Sequence, residues 1–202
     1  MLHTETVLSG TLDLLRELQA LAPLADMRLV GGTALALQLG HRTSVDIDLF
    51  GRFDGGKQLL VAAGHVAEGS EDGDIQSLVV DGVKVDFVNY PYPWIADPVC
   101  EDGVRLAGLE DIVAMKLSAA ANRGKKKDFL DLAVLLERFQ LMEMFSLYQR
   151  KFSVSEIAFA LRGLTYFDDA EDDPMPRMFT RLTWPEAKTR LLDAVRRFSR
   201  FI

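Results

Sequence analysis

Apolar residues recur at helical spacing over residues 4–22. Leu8, Leu12, Leu15, Leu18 and Leu21 stand three or four apart, and Pro23 helps close this predicted amphipathic helix. The pattern then changes. Leu29-Val30 reads as the end of a buried strand, and Gly31-Gly32 as a sharp turn that lets the backbone approach a ligand. Ala34, Leu35, Ala36, Leu37 and Leu39 form an almost wholly apolar helix, which Thr33 is expected to cap and Gly40 to end. Residues 45–50 alternate: Val45, Ile47 and Leu49 take one strand face, while Asp46, Asp48 and Phe50 take the other.

Residues 52–56 read as a loop with Asp54-Gly55-Gly56 as its turn signal, followed by a helix over 57–67. The acidic, glycine-containing stretch 68–74 reads as a solvated loop. Asp81-Gly82 between the β-rich runs 75–80 and 83–90 signals a two-residue hairpin. In its second strand Val83, Val85 and Phe87 share one face, and Lys84, Asp86 and Val88 the other. Three prolines and three aromatics in residues 90–98 exclude regular structure and suggest a connector. Residues 104–106 predict an edge strand.

From Gly108 onward the pattern is helical. The first helix carries Lys116 and leads into the basic turn Asn122-Arg123-Gly124-Lys125-Lys126-Lys127. Further helices follow near Asp128, with Asp131 one turn in, and over 142–152 and 155–164. Residues 166–176 form an acidic loop. Thr183-Trp184-Pro185-Glu186 predicts a capping box opening a helix to about residue 201. Its Leu191, Leu192, Val195 and Phe198 should face inward, and Lys188, Arg190, Arg196, Arg197 and Arg200 outward. The expected fold class is α+β, with strands and helices mixed over residues 1–106 and a helical half over 107–202.

With 202 residues and 49% apolar content the chain can bury a real core, which argues against disorder. A net charge of −7 argues against a broadly basic nucleic-acid surface, though not against a local basic patch. The single cysteine, Cys100, excludes an intrachain disulfide framework and an all-cysteine zinc site, and fits a reducing compartment. The N-terminal stretch lacks the pattern of a secretory leader, and no window reaches the length of a membrane span. A cytoplasmic protein with no membrane partner is expected.

The chemistry gathers on residues 29–50. Two carboxylates two residues apart on a strand repel one another unless a cation sits between them, and a divalent metal is the natural guest. Asp86, an acid inside a valine-rich strand, is the expected third ligand. Asp46, Asp48 and Asp86 together suit Mg²⁺ or Mn²⁺ in two-metal nucleotidyl transfer, with an NTP as substrate. Gly31, Gly32 and Thr33 would meet its phosphates through backbone N–H groups and a hydroxyl. Lys116 and the turn from Arg123 to Lys127 are candidate cations for the phosphate tail. Plainer readings stand beside these. Asp46 and Asp48 would be solvated acids on an edge strand, Asp86 a partner for Lys84 or Arg42, and Lys116 a snorkelling lysine. The lysine run would be a solvated turn, Asp131 a cap or a partner for that run, and His41 a loop-orienting residue.

The stretch 29–50, then Asp86, then KLSAAANRGKKKDFLDLAVLL from Lys116 resembles the AbiEii/AbiGii toxin family of nucleotidyltransferases, within the DNA polymerase β-like superfamily. The likeness spans roughly residues 20–170 and includes the YFDDAE stretch from Tyr166. It implies a polymerase β-like core with a mixed sheet, followed by a helical domain that completes the nucleotide and acceptor cleft. By resemblance Gly32 and Thr33 occupy the family's glycine-serine phosphate turn, Asp46 and Asp48 its metal-binding pair, Lys116 its nucleotide-contacting lysine and Asp131 its later helical aspartate. Lys127 stands where the family often has arginine. The implied activity is transfer of a nucleotide from an NTP to an acceptor, transfer RNA for some members. The implied setting is the toxin of a toxin–antitoxin or phage-defence pair, with a cognate antitoxin as partner. Two alternatives remain open: a non-catalytic nucleotide- or partner-binding module of the same fold, and an enzyme whose acceptor is a protein or small molecule.

Overall fold

The β-rich segments between residues 28 and 106 pair into one mixed sheet in the order β3-β4-β5-β2-β1-β7-β6. Its strands are β1 Arg28–Leu29, β2 Ile47–Gly51, β3 Ala67–Asp72, β4 Ile75–Val80, β5 Val83–Asn89, β6 Val99–Glu101 and β7 Val104–Leu106. The helices are α1 Ser9–Ala20, α2 Gly31–Leu39, α3 Lys57–Ala62, α4 Leu109–Asn122, α5 Lys126–Leu135, α6 Leu141–Lys151, α7 Ile157–Gly163 and α8 Trp184–Phe198. This computed structural model describes residues 1–53, 55–153 and 157–200. It divides into a unit of Met1–Pro91 with Pro98–Ala107, and a helical unit of Tyr92–Asp97 with Gly108–Ile202. The α+β class expected from the sequence is the class observed.

Register builds the core of the first unit. Residues directly opposite on paired strands share a face, so Phe87, Leu49, Leu29 and Leu106 form one apolar row across four strands. Leu78, Val85 and Ile47 form a second. All seven are buried. The opposite face carries Asp48, Lys84 and Asp86. β4 and β5 turn at Asp81-Gly82, whose φ values of +49° and +84° are the left-handed pair that this hairpin needs.

Several local expectations are corrected. β2 begins at Ile47, and Val45 is 55% exposed, because Ser44 N–H bonds to Thr6 O (3.0 Å) instead of joining a ladder. The helix predicted over 57–67 stops at Ala62, and the acidic stretch after it is strand β3, paired with β4 throughout. Its exposed charges suit a sheet edge, where they discourage pairing with another chain. Residues 104–106 are not an edge, since β7 lies between β1 and β6. Leu8 is 68% exposed and precedes α1, whose buried stripe instead includes Leu14. The inward stripe of α8 is Ala187, Leu191, Ala194 and Phe198, with Leu192 and Val195 only half-buried. Its capping box forms as expected, Thr183 N–H donating to Glu186 (2.8 Å). Asp54 of the predicted turn, residues 155 and 156 at the start of the 155–164 helix, and residue 201 lie outside the described residues.

In the helical unit α4 packs on α5, α6 and α7, while α8 packs on α5 and α6. Tyr92–Asp97 has no regular structure, yet it is pinned. Ile95 and Ala96 donate their N–H groups to the Asp111 carboxylate (2.9 and 3.1 Å). Asp111 is itself paired with the fully buried Lys151 at 2.6 Å. Lys151 also bonds Pro93 O and lies 4.6 Å from the centre of the Trp94 ring. A charge buried this deeply persists only because its neighbours answer it.

Candidate active site

The glycine turn is shaped by what a side chain would strike. Gly31 has φ +68°, a left-handed conformation, and a Cβ built there would overlap the Asp48 carboxylate. Gly32 backs onto the Arg42 guanidinium, where a Cβ would lie 2.5 Å from Nη2. The turn thus lays the α2 backbone directly against an acid of β2. Gly31→Ala is expected to cost about 1–2 kcal/mol from the backbone alone. It should also displace Asp48 and cut activity by more than that loss of stability explains; thermal unfolding beside a transfer assay checks both.

Thr33 does not cap α2, because Val30 holds the cap position and Thr33 lies inside the first turn. Its hydroxyl reaches back to Asp46 O and lies 2.9 Å from Ser44 Oγ. The predicted hydroxyl is therefore present in a different role, fixing the main chain that presents Asp46. Val30 supplies no side-chain acceptor, so the first-turn N–H groups of α2 suit an approaching anion.

Asp48 and Asp86 stand directly opposite each other on the parallel strands β2 and β5, both half-buried. Asp86 Oδ1 is buried without a hydrogen-bond partner, while Oδ2 accepts from Lys84 Nζ at 2.8 Å. Asp46 lies one residue before β2, two residues before Asp48. The hydrogen bond that Lys84 donates to Asp86 first, and then the charges of Asp86, Asp46 and Asp48, hold the Lys84 ammonium above the ordinary lysine pKa against its partial burial. Asp48, Asp86 and Lys84 thus share a patch of one sheet face, with Asp46 close enough for its charge to act on the same ammonium. Among the described residues, no three acids, histidines or cysteines converge closely enough to enclose a metal ion as they stand. The donors nonetheless fit a hard divalent ion: all are carboxylate oxygens, one of them buried and unmatched.

Lys116 and Asp131 come together in the helical unit with Asp128, which the sequence had marked only as a helix start. Lys116 is 3% exposed and lies 2.8 Å from Asp128 Oδ1 and 2.6 Å from Asp131 Oδ2. It is therefore not a snorkelling lysine, because its ammonium is sealed between two acids one turn apart on α5. Arg123 adds a bond to Asp128 at 3.0 Å. Burial pushes the Asp128 carboxyl up, but Lys116 and Arg123 outweigh it and leave the pKa below the ordinary aspartate value. In the basic turn, Lys126 is buried, with its ammonium on Glu171 O and Asp173 O, and Lys125 pairs with Asp173 at 3.5 Å. The acidic loop thus clasps this turn, while Lys127 and Arg123 remain exposed.

Sequence reasoning placed Lys84 on the face of Asp86 and weighed it, with Arg42, only as a partner for that acid. Arg42 is 2% exposed and packs behind Gly32.

The family profile described as "Nucleotidyl transferase AbiEii toxin, Type IV TA system" matches residues 13–201. The chain belongs to the AbiEii nucleotidyltransferase toxin family. It is accordingly a nucleotidyltransferase. A relative of this AbiEii protein, "Uncharacterized protein aq_aa25" of Aquifex aeolicus (strain VF5), is 33% identical over 159 residues, covering 73% of this chain and 77% of its own. JHP933 from Helicobacter pylori is similar in structure, at 17% identity and TM-score 0.57, covering 98% of this chain and 92% of that one. MenT4, nucleotidyltransferase toxin Rv2826c from Mycobacterium tuberculosis H37Rv, matches at 15% identity and TM-score 0.57, covering 90% of this chain and 79% of that one. At those identities the two structures show a shared fold.

Proposed function

We propose that this AbiEii protein moves a nucleoside monophosphate from an NTP to an RNA acceptor, in a reaction that depends on Mg²⁺ or Mn²⁺ held by Asp46, Asp48 and Asp86. The observation that carries this reading is the in-register pair Asp48 and Asp86, set under a glycine turn that a Cβ would block. An acceptor oxygen attacks the α-phosphorus, the bond to the β,γ-diphosphate breaks, pyrophosphate leaves, and the acceptor proton passes to solvent. A bound divalent ion supplies charge neutralisation and a more acidic attacking hydroxyl. The chain's own residues position the reactants. Gly31 and Gly32 bring α2 backbone N–H groups to the phosphates, and Thr33 holds the main chain of Asp46 in place. In the helical unit, Arg123 and Lys127 offer exposed cations to phosphate. Lys116 and Asp131 act by fixing the start of α5, on which that turn depends.

The biological reading is a cytoplasmic toxin neutralised by a cognate antitoxin, with phage defence as its setting. Incubating the protein with each labelled NTP, Mg²⁺, and either total RNA or a protein extract tests the chemistry. Label in RNA alone supports the reading. Label in protein moves the acceptor to a side chain, and no transfer with any NTP by the folded protein supports a binding module.

A further inference from the structure

We propose that Lys84 is a built-in counter-cation of the carboxylate cluster, a positioning residue whose ammonium a divalent metal must displace from Asp86. The inference rests on the metal-binding reading of Asp46, Asp48 and Asp86. β2 and β5 array three charged groups on one face: Asp48 opposite Asp86, and Lys84 two residues before Asp86 on the same strand; Asp46 lies one residue before β2. Directly opposed like charges destabilise a sheet, and here an ammonium stands within the array to offset them. Lys84 Nζ sits 2.8 Å from Asp86 Oδ2, a distance at which the oxygen's lone pair is committed to the lysine. One Asp86 oxygen thus faces Lys84, and among the described residues no three such acids converge on a common point as they stand. The other oxygen, Oδ1, stays buried and unmatched, as suits a group awaiting a second cation. The Lys84 side chain is 53% exposed, so it can swing into solvent when a stronger cation arrives. Lysine is suited to this exchange because its ammonium is a single charge on a flexible stem, unlike the rigid fork of arginine.

The array explains how the sheet tolerates two opposed acids before metal arrives. It also predicts a direct competition. Removing the ammonium leaves the cluster more negative and takes away the occupant of Asp86. Lys84→Met and Lys84→Gln should each bind Mn²⁺ about ten-fold more tightly than wild type in the absence of nucleotide, measured by electron paramagnetic resonance or calorimetry. Both variants should unfold at a lower temperature than wild type without metal, and saturating Mn²⁺ should close that gap. Lys84→Arg, which keeps the charge, should bind Mn²⁺ with an affinity near wild type. Equal or weaker Mn²⁺ binding by both neutral variants, with wild type binding normally, overturns this inference alone. If neither wild type nor the neutral variants bind Mn²⁺, the metal-binding reading fails and this inference with it.

Discussion

Asp48→Asn should lower nucleotidyl transfer by about 10³-fold, near 4 kcal/mol of barrier, while leaving the fold intact. The substitution preserves shape and volume, so the contact with the Gly31 backbone survives. What it removes is a negative charge directly opposite Asp86. Without metal, its repulsion from Asp86, about 0.2–1 kcal/mol for like charges opposed across strands, is set against its attraction to the Lys84 ammonium. The variant should therefore unfold close to the wild-type temperature, while losing activity. Activity lost without a matching loss of stability is the signature of a residue kept for chemistry. A labelled-NTP transfer assay beside thermal unfolding reads both. Retained transfer by the folded variant would remove Asp48 from the site.

Lys116→Ala should have the largest effect on stability, destabilising the helical unit by about 3–5 kcal/mol. The cause is less the lost attraction than the two carboxylates left behind. Asp128 and Asp131 are fully buried, and α5 would have to carry their charge in an apolar interior or neutralise it by taking up protons. The pH dependence follows from the sign of the Asp128 shift. Its folded pKa lies below the ordinary aspartate value, so the stabilisation is complete above about pH 4 and is lost as pH falls through the depressed folded value. In Lys116→Ala the balance swings toward burial, which raises the Asp128 pKa. Loss of stability should then begin at a higher pH than in wild type. Urea unfolding followed from pH 7 to pH 3 checks this, and superimposable pH profiles would show that Lys116 does not hold Asp128 ionised. Such a variant would lose activity by loosening α5, which separates it from Asp48→Asn.

Period-two alternation carried most of what was legible in the first unit. It placed Asp46 with Asp48, and Lys84 with Asp86, on polar faces before any pairing was known, because alternation is a local property of the backbone. The Asp81-Gly82 turn was legible for a similar reason, since its two left-handed residues are specified by residue type. The equivalent Asp102-Gly103 turn, with φ values of +52° and +78°, carries the same signal. It was missed because the strands it joins are only three residues long and follow a proline-rich stretch. The EGSED segment was misread because an edge strand exposes nearly every side chain, so its composition is that of a loop. Lys116 was legible as a residue of interest, but its burial was not. A lysine on an apolar helix reads as snorkelling until the two acids of the next helix are seen around it.

The sequence by itself determined the local parts: the glycine turn, the apolar α2, the alternating acids of β2 and β5, and the capping box of α8. Each depends on residues within a few positions of one another, where sterics and periodicity act directly. Only the tertiary structure decided that β2 and β5 are parallel neighbours in a register that sets Asp48 against Asp86. A shift of one residue would have turned one of these acids to the core face, and nothing local forbids it. The register is held by the apolar rows on the other face, where Phe87 meets Leu49 and Val85 meets Ile47, so packing on one side of the sheet aligns the chemistry on the other.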